Sequence, residues 1–175
     1  MIFLSQSEVN NEQISNGINL LISILIRYPE IGTASFDPEQ NSLHLKFMLS
    51  AIPSEVDFSN TKQLLLNSIA AYTMLEGFLE ATSDIQLQTY DQVAILNIVR
   101  DVYTISKPEI ALLITLLREN FKDSLIIDYN DSLPEEDLRI QEEVIENMLI
   151  NVKKHRMPHG LIGIRENGRI LVFNK

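Results

Sequence analysis

The stretch LIGIRENGRILVF, residues 161–173, holds the firmest structural signal in the chain. Asn167-Gly168 supplies the two positive-φ residues of a type I′ turn, set between the apolar runs Leu161 to Arg165 and Ile170 to Phe173. A β-hairpin follows from that spacing. Upstream, Ser132-Leu133-Pro134-Glu135 reads as a capping box. In the helix it opens, Leu138, Ile145, Met148, Leu149 and Val152 share an inward face, and Glu135, Glu136, Glu142, Glu143 and Glu146 face water. The unit is an amphipathic helix running into a hairpin.

The same unit stands near the other end. Ile14, Ile18, Leu21, Ile22 and Leu25 recur at helical spacing up to Tyr28-Pro29, where proline stops the helix. A hairpin follows, with Ile31 to Phe36 as one arm and Asp37 to Asn41 as turn. Its second arm alternates Leu43, Leu45, Phe47 and Leu49 with His44, Lys46 and Met48, which leaves one face wetter. Residues 1–10 read as a short edge strand or arm. A shift of 126 residues pairs Ile14, Ile18, Ile22 and Ile26 with Ile140, Val144, Met148 and Val152, but Gly32 and Gly160 need a shift of 128. The two units share a pattern more than a sequence.

Between them, Ser50 to Ser59 reads as a connection, and Ser59 or Asn60 as the cap of a helix over residues 61–81. That helix is apolar on almost every side, from Leu64 to Leu79, which predicts burial between layers. Ile85, Leu87 and Thr89 alternate into a strand, Tyr90-Asp91-Gln92 turns, and Val93 to Val102 is the near-continuous apolar run of an interior strand. Ser106-Lys107-Pro108-Glu109 is a second capping box, opening a helix with Ile110, Leu113, Ile114, Leu117 and Phe121 as its core stripe. A strand over Leu125 to Tyr129 completes the order α-β-β-α-β-β-α-β-α-β-β. That order predicts an α+β fold, a single layered domain over 1–175 with a mixed, largely antiparallel sheet, with 1–121 and 122–175 as the alternative subdivision.

Bulk properties narrow the function. The formal charge of -10 repels phosphate backbones and anionic lipid, so neither nucleic acid nor a membrane is an expected partner. Zero cysteines remove disulfides, thiolate metal sites and cysteine nucleophiles. Met1-Ile2-Phe3-Leu4 has no basic residue before it and gives way to Ser5 and Gln6, unlike a signal peptide. The longest apolar runs fall far below the roughly 20 residues that span a bilayer. A cytoplasmic protein is the expectation.

No glycine-rich phosphate loop, HExxH or GxSxG pattern is present, and no serine, histidine and aspartate suggest a triad, so the reading leans against an enzyme and expects no cofactor or metal. Asp128-Tyr129-Asn130-Asp131-Ser132 places oxygens like a calcium loop, yet Leu133 and Arg139 stand where glycine and a bidentate glutamate would be needed, leaving turn-and-cap chemistry. Glu76 and Glu80, with Asp84 following, lack further ligands and read as a solvated edge. Lys153-Lys154-His155-Arg156 suits the last turn of a helix, where cations meet free carbonyls. Arg100 and Asp101 interrupt the apolar strand and each requires a partner. A cleft at the strand ends, with Arg100, Ser106 and Asp128 as ligand-binding residues, is the alternative small-molecule sensor or enzyme reading.

In element order alone, Ile14 to Phe121 resembles the small acidic dimeric chaperones of secretion systems and, more loosely, roadblock-type dimerisation modules. The likeness leaves Lys122 to Lys175 outside and implies a dimer. The favoured reading is a non-enzymatic binding or regulatory module acting by protein–protein interaction, as a homodimer and in possible contact with another protein. The hairpin Leu161 to Phe173 has little chain after it to shield its outer strand, so a neighbour or twofold mate is expected there.

Overall fold

The computed structural model describes residues 5–128 and 135–175. The chain runs α1 (Gln6–Arg27), β1 (Thr33–Asp37), β2 (Ser42–Leu49), α2 (Glu55–Leu75), β3 (Ser83–Tyr90), β4 (Val93–Asp101), α3 (Lys107–Phe121), a 3₁₀ turn (Lys122–Ser124), α4 (Glu135–Val152), β5 (Leu161–Glu166) and β6 (Arg169–Asn174). The class is α+β in the expected order. The strand expected at Leu125 is reduced to a single antiparallel bridge to Leu49, supported by Ile126 N–H donating to the Met48 carbonyl at 2.9 Å.

Six strands form one sheet in the order β3-β4-β2-β1-β5-β6, with every neighbouring pair antiparallel. Three sequence-local hairpins are joined by two longer seams, β2–β4 and β1–β5. The second seam sets Phe36 opposite Leu161 and Ala34 opposite Gly163, so strands from both ends of the chain share one sheet. Around it the two helix–hairpin units are arranged as near equivalents, β2-β1 on one side and β5-β6 on the other, and α1 packs on α4.

Strand alternation sorts the side chains. Leu43, Leu45, Phe47 and Leu49 of β2 lie beside Arg100, Ile98, Leu96 and Ala94 of β4, and all are buried. Leu20, Leu21, Ile24 and Leu25 of α1, Leu65 and Ile69 of α2, the stripe of α3 and Ile145 and Leu149 of α4 join them in one core. The opposite side of β2 carries His44, Lys46 and Met48, half-buried, as the alternation predicts. Asn167 and Gly168 both have positive φ, 50° and 74°, the requirement of the type I′ turn.

Two elements depart from the sequence reading. Ser5 caps α1 and forms a capping box with Glu8, so residues 6–10 are helical and not a strand or arm; Met1 to Leu4 lie outside the described residues. α2 begins six residues before the expected position, because Ser54 accepts the Asp57 N–H at 3.1 Å while Glu55 and Asp57 meet the positive end of the helix dipole. It also ends early, at Leu75, with Gly77 at φ 89° just beyond. Nor is α2 buried on all sides: its buried residues are the single stripe Thr61, Leu65, Ile69 and Thr73, which faces β3 and α3. The helix lies on the outside of the fold; Phe58 and Leu66 are half-buried against the core, and Val56, Leu64, Met74 and Leu75 are exposed.

Candidate functional site

β4 sets Arg100 on the core side of the sheet with its side chain 0% exposed. Both oxygens of Glu109 accept from it, from Nε at 2.7 Å and from Nη2 at 2.8 Å. Nη1 donates to Asp101 Oδ1 at 2.5 Å and to the Thr82 carbonyl at 2.7 Å, and Nη2 donates to Thr104 Oγ1 at 2.9 Å. These bonds use all five N–H groups of the guanidinium. Burial alone would lower the pKa of Arg100, but the hydrogen bonds and charges of Glu109 and Asp101 outweigh it and hold it above its ordinary value. Burial likewise pushes Asp101 up, and the Thr104 hydroxyl, the Thr82 N–H and Arg100 together bring it below its ordinary range.

This cluster fastens three elements. Glu109 stands where a capping-box carboxylate would turn back to the cap, yet it is drawn to Arg100, and Ser106 makes no side-chain cap bond. The expected second capping box is therefore open at its glutamate, although Ser106 is the N-cap and a proline sits in the first turn. Lys153 Nζ donates to the Ile105 carbonyl at 2.5 Å on the same side, and burial pushes the lysine pKa down.

Asp128 lies elsewhere. Its N–H donates to the Pro29 carbonyl at 3.1 Å and its carboxylate stands 3.8 Å from Arg165 Nε. Arg100 pairs with Leu43 at one end of β2 and the Leu125 bridge meets Leu49 at the other, a separation of roughly 20 Å for six residues of strand. Arg100 and Ser106 are thus neighbours at one end of the sheet, and Asp128 belongs to the other end. The Ser132 cap, Asn130, Asp131 and Tyr129 fall outside the described residues.

Gln13 and Arg165 carry work that the sequence reading did not assign. Gln13 Nε2 donates to the Val152 carbonyl at 2.8 Å and to the His155 carbonyl, closing the end of α4 in place of the Lys153 to Arg156 run. Its signal was a polar residue on the α1 face that also holds Gly17, Leu20 and Leu21. Arg165 Nη2 donates to the carbonyls of Leu25, Tyr28 and Ile31 and closes α1 in the same way. Alternation from Leu161 and Gly163 already turns it inward, where burial lowers its pKa.

Among the described residues no group of three His, Asp or Glu is placed to hold a metal ion, and no helix is long and apolar enough to cross a membrane. A polar cleft of about 210 Å³ lies between α1 and the end of α4, lined by Glu12, Gln13, Asn16, Asn151 and Lys154.

The outward side of α2 carries several exposed apolar side chains. Val56 is 68%, Met74 72% and Leu75 86% exposed, and Leu64 is exposed as well. Between Asp57 and Glu76 only Lys62 is charged, in a chain where 22% of residues are. A helix face meant for water carries more charge than that. The second unusual feature is the outer edge of β6, which ends the sheet with four successive apolar residues, Ile170 to Phe173.

No family model, curated protein or solved structure matches this chain.

Proposed function

We propose that the protein is a non-enzymatic binding module that works as a homodimer through the outward face of α2. The observation that carries this reading is the uncharged, exposed face just described, on a helix whose other side is already packed. Its geometry suits a second copy of the same chain. Leu64, Ser68, Ala71 and Leu75 follow one another at spacings of four, three and four, the rhythm of a helix–helix seam. In an antiparallel twofold pair, Leu64 meets Leu75 of the second copy while Ser68 meets Ala71, so large faces large and small faces small. Burying Leu75, 86% exposed in the single chain, contributes about 2 kcal/mol per copy, and Leu64, 38% exposed, contributes less. Small residues in the middle allow the two helices to approach closely.

Light scattering decides it. The expected mass is about 40 kDa at micromolar concentration, twice the 20.0 kDa of the chain. Ala71→Glu, which places two carboxylates against each other at the seam, should return the mass to that of one chain without unfolding it. A native mass near 20.0 kDa that stays constant over a tenfold rise in concentration would reject the dimer.

A further inference from the structure

We propose that the outer edge of β6 takes an extended, acidic peptide segment of another protein as a seventh strand. Lys175 N–H donates to the Gly160 carbonyl at 2.9 Å, in register with the β5–β6 pairing. Bonded and unbonded pairs alternate along an antiparallel ladder, so the backbone groups of Ile170, Val172 and Asn174 point away from β5. Among the described residues nothing pairs with them, since β6 ends the sheet. The other edge, β3, presents Asp84, Gln86 and Gln88; each edge strand has a helix packed on it, α2 on β3 and α1 on β6. From Ile170 to Asn174 β6 has no proline and no charged residue, the devices that ordinarily keep an edge unpaired; its charges, Arg169 and Lys175, stand only at its ends.

Charge selects the occupant. Of the six Lys and Arg from Lys153 to Lys175, Lys153 and Arg165 are turned into the fold and Arg156 donates to the Glu39 carbonyl, so Arg169 and Lys175 carry the positive charge at this edge of a chain whose whole carries -10. Exposed Arg169 marks one end of β6, and exposed Asn174 and Lys175, with His159 Nε2 3.2 Å from Asn174 Oδ1, mark the other. A second copy fits this edge poorly. In the twofold register centred on Val172, Arg169 stands opposite Lys175 of the other copy, and like charges facing across strands repel. An extended segment with apolar residues in alternation and acids at its ends satisfies both the backbone and the charge. The surface is separate from α2, so the two readings stand or fall independently.

The test titrates the ¹⁵N-labelled protein with the heptapeptide Glu-Val-Thr-Val-Thr-Val-Glu, and with the same peptide carrying lysine at both ends. The Glu-ended peptide should bind at least tenfold more tightly, shifting the amides of Ile170, Val172 and Asn174 and slowing their hydrogen exchange. Val172→Pro removes an outward N–H that β5 does not use and should abolish binding. The double variant Arg169→Glu, Lys175→Glu keeps the backbone and should reverse the preference between the two peptides. Equal affinity for both peptides, no binding, or shifts centred on another element would overturn the proposal. So would outward amides already protected in the free protein. Light scattering on the same samples separates the outcomes, since loss of the dimer with peptide binding intact removes only the α2 interface.

Discussion

A glutamate three residues after a capping serine ordinarily turns back to the cap, and Glu109 does not. Arg100 is buried beside it, and a buried guanidinium without a carboxylate costs far more than an unmade cap bond. The cap is left open and the ion pair is made. Glu109→Ala should therefore cost about 3–5 kcal/mol in urea unfolding, because it breaks a fully buried pair and leaves two guanidinium donors unmet, with Asp101 the one carboxylate remaining. Arg100→Met combined with Glu109→Leu should recover most of that loss. A loss below about 1 kcal/mol for the single variant would instead place the pair in solvent. The sequence displayed Arg100 as a polar break in an apolar strand, but it displayed Glu109 only as a cap. The same residue satisfied two patterns, and only the third dimension shows which prevails.

At the scale of elements, boundaries were legible where local chemistry sets them. Tyr28-Pro29 ends α1 and Asn167-Gly168 turns the last hairpin, both through backbone preferences that need no partner. Apolar content alone predicts burial for α2, whereas half of that content faces outward. Ser5-Gln6-Ser7-Glu8 carried a readable capping box that a short apolar prefix obscured. Close packing of elements was not legible at all, and Gly163 shows why. A Cβ there would meet Leu25 Cδ1 at 3.0 Å, Leu21 Cβ at 3.4 Å and the Ala34 carbonyl oxygen at 3.5 Å, so α1 sits directly on β5. Gly163→Val should destabilise the protein by about 1–3 kcal/mol by overpacking, read as a lower urea midpoint. Gly168→Ala meets no atom within 4 Å and acts only through its positive φ of 74°.

For the molecule as a whole, the strand order assigns unequal stability. β4 lies between β2 and β3, with Leu96, Asn97, Ile98, Val99 and Arg100 all buried, and its amides should be among the slowest to exchange with solvent. Rapid exchange there would contradict the layered core. Each hairpin could be read from its own turn, but the seams between hairpins could not, since β1 meets β5 only through residues 33–36 and 161–164. That separation reaches beyond the native state to the order in which a ribosome delivers the chain. While residues 161–164 are still unmade, β1 holds an open edge and Leu21 and Leu25 of α1 lack the strand they cover. The nascent protein thus passes through an interval with an open strand edge on display, exposed to wrong pairing until the hairpin at 161–174 closes it.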